Sequence, residues 1–146
     1  MVAERQAGAA VSSSWWARAV AALLALEITW VHIIDQGGLL ELRDPPYVGW
    51  GYRALEVAGV VVAVWILTGR RRRWAWLLAA AVAAGPLLGY VLSRGPGLPD
   101  YSDDIGNWFE PLGVMAVIAE LLLVGLAAYA LGVFERIRPR ERERIR

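Results

Sequence analysis

Four long apolar stretches alternate with short polar ones along this chain, at about 15–34, 47–68, 74–92 and 108–134. Each is about twenty residues or more, enough for a helix rising ~1.5 Å per residue to cross a hydrocarbon layer ~30 Å thick. In lipid the backbone must satisfy its own hydrogen bonds, and a helix does so without leaving an open edge. The pattern therefore predicts an all-α fold, a four-transmembrane-helix bundle with helices at about 15–35, 47–68, 73–93 and 108–134. A flexible N-terminal segment at 1–14 and a charged tail at 135–146 flank it. The first stretch has the place of a secretory signal peptide. It is long, however, Glu27 interrupts it and no small-residue cleavage site is evident, so a retained helix is expected.

Charge supplies the orientation. Arginines cluster in 69-GRRRRW-74 and 135-ERIRPRERERIR-146, whereas the other two connections carry Glu41, Arg43 and Asp44, then Arg94, Asp100, Asp103 and Asp104. Basic clusters mark the cytoplasmic side, which places both termini inside and both longer loops outside a cytoplasmic membrane. Aromatic residues stand where an interfacial belt would hold them: Trp15 and Trp16, Tyr47 and Trp50, Trp74 and Trp76, Trp108 and Phe109. The prolines of 44-DPP-46 force an extended approach to the second helix, and Pro111 suits the first turn of the fourth. Small residues at four-residue spacing, Ala17, Ala21 and Ala25 and then Gly85 and Gly89, mark faces where helices approach closely.

Composition narrows the chemistry. A chain that is 58% hydrophobic exceeds ordinary soluble usage. It has no cysteine, which removes disulfides, thiolate metal sites and cysteine nucleophiles. Haem ligation by two histidines is excluded because His32 is the single histidine. All fifteen basic residues are arginine, a bias of GC-rich coding. They lie beside membrane stretches, so the expected partners are the lipid bilayer and a homo-oligomer or larger membrane complex, and no nucleic acid.

Ionisable residues inside the stretches are the main functional pointer. Glu27 lies eight residues in from Asp35, Glu56 nine in from Tyr47 and Glu120 eleven in from Phe109. These depths are roughly 12–16 Å, near the middle of the hydrocarbon layer. Three carboxyls on three helices thus share a level, and 85-GP-86 on the third helix matches it, where the proline frees a carbonyl. A charge at that depth costs at least ~3 kcal/mol, so these side chains are expected to face the bundle interior. Arg53 and Glu56, three apart, can pair. One arginine does not balance three carboxylates, so two glutamates carry protons or a cation binds among them.

Tyr52 and Tyr90 can donate into the same space, and the candidate cluster is Glu27, Arg53, Glu56, Tyr90 and Glu120. His32, Asp35, Ser93 and Arg94 form a candidate outer mouth. His32 is five residues from Glu27, about 140° around the helix, so those two diverge. Asp100, Asp103 and Asp104 offer oxygens for a hard cation but lack an EF-hand pattern. The ligands of any metal remain unassigned, and the sequence requires no cofactor.

The elements 32-HIID-35, 45-PPYVGW-50, 89-GYVLSR-94, 97-GLP-99 and 107-NWFEPLGVMAVIAE-120 resemble a group of small four-helix integral membrane proteins from high-GC Gram-positive bacteria. The resemblance covers about residues 25–125 and is most specific at the end of the third helix and the loop after it. It implies the fold and no activity. Three function classes follow from the residues. The first is a non-enzymatic membrane subunit or scaffold, in which a buried Glu/Arg network only locks helices together. The second is a proton- or cation-linked transporter or channel component using the intramembrane glutamates. The third is a membrane metal-binding or oxidoreductase subunit.

Overall fold

The computed structural model describes residues 10–12 and 14–133; the charged tail and most of the N-terminal segment lie outside the described residues. The described chain is all-helical. A short turn at residues 10–12 precedes four long helices: α1 (Trp15–Asp35), α2 (Pro46–Thr68), α3 (Arg72–Arg94) and α4 (Pro111–Ala130). All four are long and apolar enough to cross a membrane, and no more than a third of each apolar window is buried. Most of the apolar surface therefore faces outward, as a lipid-solvated bundle requires and a water-soluble one cannot sustain.

The bounds of α1, α2 and α3 match the sequence expectation to within a residue, whereas α4 is shorter than expected. Glu110 adopts extended backbone, and its carboxylate accepts from the Leu112 and Gly113 amides at 2.9 and 2.6 Å. That cap starts the helix at Pro111, leaving Trp108 and Phe109 in the loop. At the other end Gly132 takes a positive φ of 69° just beyond the C-cap, which stops α4 short of residue 134.

α1 packs most closely on α2 and also lies against α4; α3 packs on α4 and, more loosely, on α2. The core is rich in alanine, with Ala21, Ala25, Ala79, Ala83, Ala119 and Ala127 almost fully buried, and Trp76, Ile28, Ile66, Leu123 and Val62 are its bulkiest fully buried hydrophobic residues. Small residues at the seams let backbones approach, which drives association in lipid, where burying apolar surface gains little. One close approach is at Gly59 of α2. A Cβ built there would stand 2.1 Å from Thr29 Oγ1 and 3.1 Å from the Ala25 carbonyl of α1.

Two packing expectations need correction. Gly85 and Gly89 do not form a helix seam, since an added Cβ at either meets nothing within 4 Å. Trp76 is no belt residue: it is 1% exposed, because it shares the inward face of α3 with Ala75, Ala79 and Ala83. Trp15, Trp16, Tyr47, Trp50, Trp74, Trp108 and Phe109 are exposed near the two ends of the bundle.

Candidate cleft at the long-loop end

The connections 36–45 and 95–110 share one end of the bundle, where Tyr47 Oη donates to the Pro99 carbonyl at 2.6 Å. Beneath them a cleft of about 520 Å³ runs between α2 and α3, with α1 and α4 as its floor. His32 and Asp35 of α1, Tyr52 of α2, Tyr90, Ser93 and Arg94 of α3 and Glu120 of α4 all line it. The expected mouth residues thus come together, and Glu120 joins them. Pro86 lines the same wall within an unbroken α3, and its missing N–H leaves the Val82 carbonyl without an i+4 donor.

The three glutamates have different surroundings. Glu56, 6% exposed, is fully engaged: Arg53 Nη1 donates to Oε2 at 2.8 Å, and Gln36 Nε2 donates to Oε1. Arg53 also reaches the Glu41 carbonyl at 2.5 Å, tying the first loop to α2. Glu27 lies apart. Ala25, Ile28 and Thr29 take the inward face of α1, which turns Glu27 outward with Leu23, Trp30 and Ile34, all exposed. Spacing along α1 sets that face, and depth alone did not reveal it. Tyr90 lines the cleft with Glu120, and its hydroxyl donates to the Trp108 carbonyl.

Glu120 is 1% exposed and its side chain forms no hydrogen bond among the described residues, where its one basic neighbour within 4 Å is His32, with Nε2 3.9 Å from Oε1. His32 Nδ1 lies 2.8 Å from the Ile28 carbonyl. A carbonyl only accepts, so Nδ1 carries a proton, and in the neutral ring Nε2 faces Glu120 as an acceptor. With His32 neutral and Glu120 ionised, two acceptors face each other across a gap too long for a direct hydrogen bond.

The other acids of the cleft have basic partners. Tyr52 Oη donates to Asp35 Oδ2 at 2.5 Å, and Arg43 Nη1 stands 3.0 Å from the same oxygen. Burial weakens the hold of Arg43 on its proton, but the Asp35 carboxylate more than offsets this and raises its pKa above the ordinary value. Arg94, 8% exposed, holds the second loop: Nε donates to the Asn107 carbonyl at 2.9 Å, and Nη1 lies 3.6 Å from Asp104. Its Nη2 lies 3.8 Å from Glu110 and its guanidinium covers the Tyr90 ring at 4.1 Å. Tyr101 donates to Asp104 at 2.8 Å; burial first, then that hydrogen bond, pushes its phenol up to about 12.

Sequence reasoning missed Gln36, Arg43 and the His32–Glu120 approach. Gln36 follows His32 by four residues and so shares its face of α1, a signal the sequence contains. The approach of His32 to Glu120 depends on how α1 and α4 pack, and no local pattern encodes it. Among the described residues no three His, Cys, Asp or Glu side chains gather to hold a metal ion, and Asp100 and Asp103 stay exposed in the loop. No protein-family model, curated protein or solved structure matches the chain.

Proposed function

We propose that this chain is a non-enzymatic, multi-pass protein of the cytoplasmic membrane, with both termini inside, that serves proton- or cation-linked transport through the α2–α3 cleft. Glu120 is its exchange site, and His32 is the neighbouring acceptor. One observation carries the reading: among the described residues, a carboxyl group with 1% exposure stands at the cleft wall with no hydrogen bond and no arginine within 4 Å. An uncompensated charge that deep costs at least ~3 kcal/mol, so the group is neutral, holding either a proton or a cation. A purely structural network would instead look like Glu56, with both oxygens satisfied.

The test uses dicyclohexylcarbodiimide, a membrane-soluble reagent that modifies protonated carboxyls, on the full chain in lipid nanodiscs. The adduct is expected at Glu120, weakened by added sodium chloride and missing in Glu120→Gln. Adducts at Glu56 with none at Glu120 would overturn the assignment.

A second reading rests on Glu27. A carboxyl group on the outward face of α1, twelve residues from Trp15 and eight from Asp35, is too deep for its short side chain to reach either interface. This favours a subunit role in which another membrane helix covers that face. Replacing Glu27 with leucine would then abolish association with the partner while leaving Glu120 reactivity unchanged.

A further inference from the structure

We propose that the cation taken by the cleft is a lipophilic amine, an organic ammonium on an apolar body, which reaches Glu120 sideways from the bilayer through the α2–α3 seam. This rests on the reading of Glu120 as an exchange site and adds the class of substrate and its path.

Charge selects the sign. Asp35 is matched by Arg43, Asp104 by Arg94 and Glu56 by Arg53, while Glu120 has only an imidazole beside it. Of the acids that line the cleft, Glu120 is therefore the one with no arginine within 4 Å among the described residues. Size and wall chemistry select an organic cation. About 520 Å³ is the scale of a site for a small organic molecule, far larger than a bare metal ion needs. Divalent hard cations want six or more oxygens, but the other carboxylates of the cleft, Asp35 and Asp104, face arginines, and Leu55, Ala58, Val82 and Ala116 line much of the rest.

The spacing of acceptors selects nitrogen with several protons. Glu120 Oε1 and His32 Nε2 are 3.9 Å apart. An ammonium nitrogen about 2.8 Å from each donates one proton to the carboxylate and another to the imidazole. A neutral alcohol has one proton to give and brings no charge to replace the proton that Glu120 holds.

The seam supplies the path. Gly51 and Gly85 line the cleft and are also exposed on the outer surface of the bundle, and a Cβ at either meets nothing within 4 Å. Ala54 and Ala81 are likewise exposed cleft residues. The opening is thus flanked by the smallest side chains on two spans, at the level where the surroundings are acyl chains. An amine with an apolar body concentrates in that layer and needs no aqueous channel.

Titration calorimetry on the chain in nanodiscs, corrected with empty nanodiscs, tests this with 4-phenylbutylamine and its neutral analogue 4-phenylbutan-1-ol. The amine is expected to bind about thirtyfold or more tightly than the alcohol, the loss typical when a buried charge goes unmatched. Glu120→Gln should erase that preference, and Glu120→Asp, which keeps the carboxylate, should retain part of it and so separate charge from folding. Gly85→Phe should slow amine association several-fold by narrowing the seam. If sodium protects Glu120 from carbodiimide but amine and alcohol bind alike, the amine inference is overturned and the exchange site stands. If neither cation protects Glu120, both fall. A preference that survives Glu120→Gln would place the cation elsewhere and overturn the inference.

Discussion

Glu56 and Glu120 are both carboxyls at similar depth, yet their surroundings give them opposite characters. Arg53 and Gln36 hold Glu56 as a fixed structural anion, so Arg53→Met should destabilise the bundle by about 1–3 kcal/mol, since it strands a buried acceptor. Adding Glu56→Leu to Arg53→Met should recover most of that loss, because a well-packed apolar pair can replace an ion pair. Thermal unfolding in detergent reads both changes, and a double variant no more stable than Arg53→Met would remove Glu56 from this role. Gly59 gives a steric counterpart. Its Cβ position falls 2.1 Å from Thr29 Oγ1, so Gly59→Val should part α1 from α2 and lower the unfolding temperature. A bundle that tolerates valine there would contradict the close approach. Of these features the Arg53–Glu56 pair is legible from i,i+3 spacing, whereas the function of Gly59 depends on which residue of α1 it meets.

At the scale of elements, hydropathy fixes three helices because their ends coincide with the ends of apolar runs. It misplaces the start of α4, where Trp108 and Phe109 continue the apolar run but Glu110 caps the helix two residues later. Removing that cap with Glu110→Ala should raise hydrogen exchange at the Leu112 and Gly113 amides roughly tenfold, as a cap worth about 1–2 kcal/mol implies. Unchanged protection at those two amides would mean that Pro111 alone sets the boundary. Inside α3, the glycines that a four-residue repeat marks for packing instead leave room along the cleft. A spacing motif cannot tell a seam from an opening, because both need small side chains, and the neighbouring helix decides which one forms.

For the whole molecule, depth counted along each apolar run correctly marks Glu56 and Glu120 as interior groups and wrongly marks Glu27, because depth says nothing of rotation about the helix axis. The proposed topology, with both termini cytoplasmic, is testable because the chain has no cysteine. A membrane-impermeant maleimide applied to intact cells should label Leu40→Cys, on the exposed first long loop, and should label Arg70→Cys only after lysis. The reverse pattern would invert the protein. Central to the proposed function is an interior acid, Glu120, that is neutral because no arginine among the described residues faces it. Infrared difference spectroscopy of the protein in nanodiscs at neutral pH measures this directly through the carbonyl stretch of a protonated carboxyl. The account predicts such a band in the native chain, lost in Glu120→Gln, retained in Glu56→Gln and bleached when a cation is added. A native spectrum in which Glu120→Gln removes no such band would contradict it.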